Sequence, residues 1–140
     1  MIIDAENLIV GRMATYAAKR ALLGESVDIV NCEKAVITGS KKNVFAKYKQ
    51  KANRGGPFKG PFIPKLPDRF VRRIVRGMLP YKQEKGKSAF KRIMCYNSIP
   101  EELKGKKMEK LREADISRIK TLKYTTIKNI CESLKATKDG

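Results

Sequence analysis

The stretch MIIDAENLIVGRMATYAAKRALLGESVDIVNCEKAVIT, residues 1–38, decides the fold. It opens with a short strand, Met1 to Asp4, and passes through a polar turn into a helix from Gly11 to Leu23, whose apolar side chains recur at helical spacing. Val27 to Val30 and Lys34 to Thr38 follow, and both are too short and too rich in β-branched residues to be helices. A strand, a helix and a strand in succession predict a right-handed crossover and a parallel sheet.

The positive charge of the chain is concentrated in one segment. Residues 41–92 hold 17 of the 32 Lys and Arg but only two of the 14 Asp and Glu, so they carry +15 of the net +18. A basic run is more often a solvated surface than a binding site. Like charges this concentrated, however, oppose compaction unless a polyanion neutralises them. With a pI near 10.0, the segment predicts a nucleic-acid partner.

Length and composition indicate a single domain, 1–140, that stays in the cytoplasm. A chain of 140 residues can bury roughly 68% of the surface of its unfolded form, enough for one hydrophobic core. No apolar run approaches the roughly 20 residues that cross a bilayer, and the N-terminus lacks the pattern of a signal peptide. We therefore expect no membrane partner.

The cysteines predict core positions and no metal. Cys32, Cys95 and Cys131 are scattered and lie within apolar patterns, so they are expected to be reduced core residues. The chain has no His and no C-x-x-C pair, so no zinc or other metal site is expected. No cofactor is predicted.

A nucleotide-using enzyme is one alternative. Thr38 to Lys42 joins a strand to a helix as a phosphate loop does, but the motif requires a glycine five positions before Gly39, where this chain has Lys34. The absence of His removes the side chain most used as a general base near neutral pH. Asp4, Asp28 and Glu33 remain as possible acids or bases, although each lies beside a short apolar run, where a role at a strand end or in a turn is expected. Tight, stoichiometric binding of a nucleotide would revive this alternative.

The basic segment begins with a lysine-bearing helix and continues into a loop. Ser40 is a natural cap for the helix, and Tyr48 belongs to its apolar side. Residues 55–67 are rich in Gly and Pro and can form neither a helix interior nor a central strand. A loop of that length is usually functional or disordered. Phe58 and Phe62 either stack on bases or pack back onto the protein, and both possibilities stay open.

The helix between Pro67 and Met78 separates its side chains by chemistry. Apolar residues fall on one side and arginines on the other at 3.6-residue spacing. The arginine fork suits bidentate phosphate contacts, so we predict one face that packs and one that binds. Replacing the arginines by Gln should leave the fold intact. The two sets are Phe70, Val71, Ile74, Val75 and Met78, and Arg69, Arg72, Arg73 and Arg76.

Beyond this helix the pattern weakens. A basic loop is predicted from Tyr81 to Lys87, and a buried strand from Ile93 to Tyr96. Residues 100–120 indicate exposed helix and loop, and 122–124 a last strand. Ile127, Ile130, Cys131 and Leu134 mark an amphipathic C-terminal helix.

Several blocks of sequence together resemble one family. They are Asp4-Ala5 followed by Gly11-Arg12, Ala35 to Gly39, Arg54 to Phe58, and Val75 to Pro80 with Lys82, Gly86-Lys87, Ala89, Arg92 and Tyr96 after it. In order and spacing they resemble the large-subunit ribosomal protein L-13 family, in its archaeal and eukaryotic branch. The chain departs from the family in an extra Gly within Arg54 to Phe58 and in Cys95 to Ser98, which replaces a more usual ending with Gly.

The resemblance implies a three-layer α/β/α fold around a four-stranded parallel sheet, with 41–92 as a basic rRNA-binding insertion. It implies a structural protein that binds large-subunit rRNA, supports subunit assembly and neighbours other ribosomal proteins, among them the L-3 protein. It implies no catalytic residue and no small-molecule substrate. The positions that match the family for rRNA contact are Arg12, Arg54, Arg69, Arg72, Arg73, Arg76, Lys82, Lys87 and Arg92. Charge alone adds Lys41, Lys42, Lys47, Lys59, Lys65 and Lys85.

A sequence-specific DNA-binding module is the other alternative. It would favour a duplex with defined base contacts, whereas neither helix-turn-helix spacing nor a zinc finger is visible. A preference for duplex DNA over rRNA in competition would reverse the ranking.

Overall fold

The computed structural model describes residues 1–52, 64–118 and 123–138. Its strands are β1 (Ile2–Asp4), β2 (Val27–Val30), β3 (Val36–Thr38), β4 (Ile93–Cys95) and β5 (Tyr124–Thr126). Its helices are α1 (Val10–Leu22), α2 (Lys41–Ala52), α3 (Pro67–Gly77), α4 (Glu84–Lys91) and α5 (Ile127–Lys138). Short 3-10 helices occupy Cys32–Lys34, Glu101–Leu103, Arg112–Ala114 and Ile116–Arg118. Within these ranges, no helix has the length and apolar character needed to span a membrane.

Three strands form a parallel sheet in the order β1, β2, β4, with Ile3 opposite Ile29 and Ile29 opposite Cys95. The parallel pairing of β1 with β2 across α1 confirms the parallel sheet predicted from the opening stretch. Because the order runs in one direction, right-handed crossovers place both helical connections on the same face. Accordingly, α3 and α4 both contact α1, and Met13 and Val71 pack with Ile29 in one core.

The expected fourth parallel strand belongs to a different sheet. β3 pairs antiparallel with β5, with Val36 opposite Thr126 and Thr38 opposite Tyr124. Only a short 3-10 helix separates β2 from β3, whereas a parallel neighbour needs a crossover of about a dozen residues or more. Asn31, in the left-handed region at φ 58°, turns the chain at the end of β2. The described residues therefore form a three-stranded parallel sheet and a two-stranded antiparallel one, and not four parallel strands.

The second face of the parallel sheet has a thin cover without an α-helix among the described residues. Ile2 and Val30 pack there with Leu103 and Met108, which come from a 3-10 helix and an extended stretch. The amide of Glu109 donates to the carbonyl of Ile2 (2.7 Å), so this stretch also runs along β1. The prediction of exposed helix and loop from residue 100 is wrong for these positions. No helical apolar period runs through them, and for that reason the three-layer α/β/α arrangement is not seen on this side.

Most other predicted elements are present with shifted ends. The four apolar residues that marked the C-terminal helix are all buried in α5. β4 ends at Cys95, one residue early, and β5 begins at Tyr124, while Leu122 lies outside the described residues. The predicted basic loop from Tyr81 to Lys87 is wrong in its second half, because α4 begins at Glu84.

The cysteines are buried and unbonded, as predicted. A hydrogen bond with the Cys95 thiol, followed by burial, raises the pKa of Cys32. Burial raises the pKa of Cys131 to about 12. These two thiols are therefore protonated at neutral pH.

Candidate nucleic-acid interface

Two helices of the basic segment touch each other through a pair of aromatic rings. Tyr48 of α2 contacts Phe70 of α3, with ring centroids 5.1 Å apart and ring planes at 58°. The amide of Asn43 donates to Ser40 Oγ (3.3 Å), which confirms Ser40 as the cap of α2. Burial also raises the pKa of Tyr48. The lysine helix and the arginine helix therefore meet through an aromatic contact.

The faces of α3 separate largely as the sequence predicts, but Met78, which was predicted on the apolar side, is 42% exposed at the end of the helix. Phe70, Val71 and Val75 are buried against the core, whereas Arg69 and Arg73 are exposed. Burial of the three apolar side chains anchors the helix, at roughly 1.5–3 kcal/mol for each large side chain. The helix thus presents fixed cationic side chains to the solvent.

Arg72 is an exception on this helix. Its Nε donates to the carbonyl oxygen of Ile93 (3.0 Å), and its Nη2 donates to that of Phe90 (3.1 Å). Its guanidinium carbon lies 3.9 Å from the centroid of the Phe90 ring. These interactions join α3 to α4 and β4 within the protein. The expectation that Gln at this position leaves the fold intact is corrected, because two backbone carbonyls would lose the hydrogen bond from the arginine.

Arg92 and Arg12 also have partners within the protein. Arg92 Nη1 donates to the carbonyl of Ala21 (2.9 Å) in the last turn of α1, where a cation also favours the negative end of the helix dipole. Arg12 is exposed, and its Nη1 donates to the carbonyl of Glu113 (3.1 Å). Both contacts use one guanidinium nitrogen and leave other N–H donors for a ligand.

A close approach of the backbone fixes the turn between α3 and α4. Gly86 is buried, and a Cβ at this position would overlap the carbonyl group of Pro80 and press on the amide of Tyr81. The Tyr81 ring in turn lies under the Arg76 guanidinium, 4.6 Å from it. This packing explains why a helix begins at Glu84 in a stretch without an apolar period.

The described basic residues of 41–92, which lie on and between α2, α3 and α4, form what we call the basic surface. Of the 17 basic residues in 41–92, Arg54 and Lys59 lie outside the described residues, as do Phe58 and Phe62. Of the other fifteen, ten are exposed and five are half-buried. The exposed ones are Lys41, Lys42, Lys47, Lys49, Arg69, Arg73, Lys82, Lys85, Lys87 and Lys91. The half-buried ones are Lys51, Lys65, Arg72, Arg76 and Arg92.

Three exposed or half-buried lysines on the same helices were not predicted as contacts. Lys49 and Lys51 follow Lys47 on α2, and Lys91 ends α4. The Nζ of Lys51 lies 5.2 Å from the centroid of the Tyr48 ring. Their position on helices that already carry predicted lysines is the signal that could have found them.

The acids at the ends of the strands have local structural partners. Asp4 Oδ1 accepts hydrogen bonds from the amide of Glu6 (3.1 Å) and from Asn31 Nδ2 (3.0 Å). The carboxylate of Glu33 accepts from the amide of Ser98 (2.9 Å). Across the described ranges, no three acids or cysteines come close enough to hold a metal ion.

The sequence matches a known protein family over more than half of its length. The sequence profile of ribosomal protein L13 matches residues 1–102. The chain belongs to the ribosomal protein L13 family. The family consists of structural ribosomal components and not of enzymes.

Curated relatives named large ribosomal subunit protein uL13 align with nearly the whole chain. The relative from Archaeoglobus fulgidus is 45% identical over 134 residues, covering 95% of this chain and 86% of its own. The one from Methanopyrus kandleri is 45% identical and covers 95% and 85%. The one from Halobacterium salinarum is 39% identical and covers 97% and 91%. These relatives are archaeal, in agreement with the branch of the L13 family that the sequence resembles.

Proposed function

We propose that this protein is a structural constituent of the large ribosomal subunit, where it binds large-subunit rRNA and supports assembly of the subunit. Membership of the L13 family carries the proposal. It acts in the cytoplasm as part of the ribosome, and residues 41–92 are its rRNA-binding insertion. Its neighbours in the subunit include other ribosomal proteins, with the L-3 protein as the named expectation.

The basic surface supports a contact with phosphates more than with bases. Its exposed side chains include lysines and arginines from α2, α3 and α4. Because these helices pack on the protein core, their cations are held in a defined arrangement. They can therefore bind an RNA whose phosphates have the matching arrangement, so that the shape of the RNA is recognised. Arg54 and Lys59 belong to the same proposed interface by their family match and charge.

Salt dependence is the first test. The purified protein should bind folded fragments of large-subunit rRNA, and its affinity should fall by about 10³- to 10⁵-fold between roughly 50 and 200 mM salt if about 6–10 phosphates are neutralised. Duplex DNA of equal length should compete poorly. The absence of rRNA binding, or a preference for duplex DNA, would contradict the proposal.

A variant of α3 tests the location. Changing Arg69, Arg73 and Arg76 to Gln removes three charges and keeps Arg72, which stabilises the fold. Affinity should fall by about 10- to 100-fold, and the slope of log affinity against log salt should decrease in magnitude by about 2–3. The control changes Lys106, Lys107 and Lys128 to Gln, because these lysines are exposed and lie outside 41–92. Equal losses in both variants would assign the effect to total charge.

A further inference from the structure

A second concave surface lies outside residues 41–92. It is a cleft of about 500 Å³ between α1 and the stretch from Lys110 to Ala114. Arg12, Thr15 and Tyr16 line it from the helix, and Lys110, Leu111 and Arg112 line it from the stretch. The volume lies within the range of small-ligand pockets, roughly 300–1,000 Å³.

Backbone contacts hold the two walls together. The amide of Ile9 donates to the carbonyl of Ala114 (2.7 Å), and Ala114 is buried. Arg12 Nη1 donates to the carbonyl of Glu113 (3.1 Å). Leu111 packs against the main core. The cleft is therefore formed before a ligand arrives, so little conformational entropy would be lost on binding.

The rim of the cleft is cationic. Lys110 and Arg112 are exposed, Arg12 contributes a third positive charge, and Glu113 is the single acid among the lining residues. In the part of the chain that the structure describes, none of the three cations has a carboxylate within ion-pair distance. Such a rim favours an anion, and its arginines can bind a phosphate through two N–H groups.

Apolar and aromatic groups lie inside this rim. Tyr16 is half-buried, and its hydroxyl accepts a hydrogen bond from Arg20 Nε (3.2 Å) while the Arg20 guanidinium lies 5.2 Å from the ring centroid. These contacts restrain the ring. The aromatic ring and the leucine can pack against a flat base, and the neighbouring cations can bind a phosphate. A nucleotide carries both groups.

The cleft also borders the basic surface. Thr15 Oγ1 lies 3.4 Å from Met78 Sδ, at the end of α3, so an RNA strand on α3 can continue toward Arg12. A larger cleft of about 720 Å³ lies at the carboxyl ends of the parallel strands. It differs from the smaller cleft in charge. Three Glu and three Lys line it, so it offers a polyanion no net attraction.

We propose that the smaller cleft binds one unpaired nucleotide of RNA, with the base against Tyr16 and Leu111 and the phosphate at Arg12, Lys110 and Arg112. The inference rests on the proposed function and extends it. It adds a contact outside 41–92 that distinguishes an unpaired nucleotide from a duplex backbone.

The test compares two double variants with equal loss of charge. Lys110→Gln with Arg112→Gln removes two cations of the cleft. Lys128→Gln with Lys135→Gln removes two exposed lysines of the charge-balanced cleft. Binding to a large-subunit rRNA fragment and chemical probing of its unpaired nucleotides are measured for each. The first variant should bind about 10- to 100-fold more weakly and lose protection at one unpaired nucleotide. The second should change affinity less than about twofold.

The outcomes separate this inference from the proposed function. Wild-type affinity and protection in the first variant overturn the inference alone, provided that the α3 variant still weakens binding. Equal losses in both double variants also overturn it, because total charge would then be the cause. Unchanged rRNA affinity with impaired incorporation into subunits assigns the cleft to a protein partner and rejects the nucleotide. A wild-type protein that binds no rRNA overturns both proposals.

Discussion

Arg72 donates from Nε to the carbonyl oxygen of Ile93 at a distance of 3.0 Å. Ile93 begins β4, which is the last strand of the parallel sheet in the order β1, β2, β4. One edge of β4 thus has no neighbouring strand among the described residues. Such edges are often covered in natural proteins, because an open edge invites pairing with another chain. An arginine from α3 here supplies a donor to that edge.

Replacing Arg72 by Gln should lower the free energy of unfolding by about 2–4 kcal/mol. The change removes the two hydrogen bonds from a charged donor and the contact with the Phe90 ring. Urea denaturation followed by circular dichroism measures the effect. Arg69→Gln is the matched control, because Arg69 is exposed on the same helix, and it should cost less than about 0.5 kcal/mol. Equal stability of the two variants would show that Arg72 does not join the elements.

Gly86→Ala should destabilise the protein by about 1–3 kcal/mol or more, because the new Cβ overlaps the backbone of Pro80 and the turn must move. Gly77→Ala is the control, since nothing lies within 4 Å of a Cβ there and Gly77 is helical. It should stabilise the protein by roughly 0.4–1 kcal/mol. Thermal unfolding of both variants measures these changes in stability. If Gly86→Ala left the stability unchanged, the turn would be able to adjust to the added Cβ.

The sequence predicted what depends on periodicity. A spacing of 3.6 residues determines which side chains share a face, whatever the helix packs against, so Phe70, Val71 and Val75 of α3 are buried together. Periodicity does not identify the groups beyond that face. Arg72 lies on the polar side by spacing, yet the carbonyls of Phe90 and Ile93 happen to be within reach.

The strand pairing and the helix that depend on contacts distant in sequence were not predicted. β3 has a strand sequence, but its antiparallel partner β5 lies more than 80 residues later, and nothing local distinguishes that partner from β2. α4 has no apolar period, and its place depends on Gly86 meeting the Pro80 carbonyl. The basic surface was found because charge is local information, whereas the cleft beside Tyr16 requires two separate segments to meet.

Asn31 should tolerate neither Ala nor Gly, for different reasons. It has φ 58° and is buried, and its Nδ2 donates to Asp4 Oδ1 (3.0 Å). Asn31→Gly keeps the conformation and loses the hydrogen bond, at about 1–3 kcal/mol. Asn31→Ala also adds left-handed strain of about 1 kcal/mol or more. Asn7 is the control, because it also has a positive φ, 62°, but is exposed. Asn7→Gly should lower the free energy of unfolding by no more than about 0.5 kcal/mol. Equal effects of Gly at both positions would exclude a contribution from the Asp4 contact.

The stability of the protein should fall as the pH rises above the usual thiol range, and Cys131 should account for part of the fall. Its pKa is about 12 in the folded protein, against about 8.5 for an unperturbed thiol. The folded state therefore retains a proton that the unfolded state releases. This contribution is complete below about pH 8.5 and is lost as the pH rises toward the folded value.

Between pH 8.5 and 9.5 the loss for one such thiol is about 1 kcal/mol. Urea unfolding of the native protein and of Cys131→Ala at both pH values isolates the contribution of this thiol to the free energy of unfolding. The other titrating groups affect both proteins alike. The stability difference between them should shrink by about 1 kcal/mol at the higher pH. A difference independent of pH would mean that the buried thiol titrates as it does in the unfolded chain.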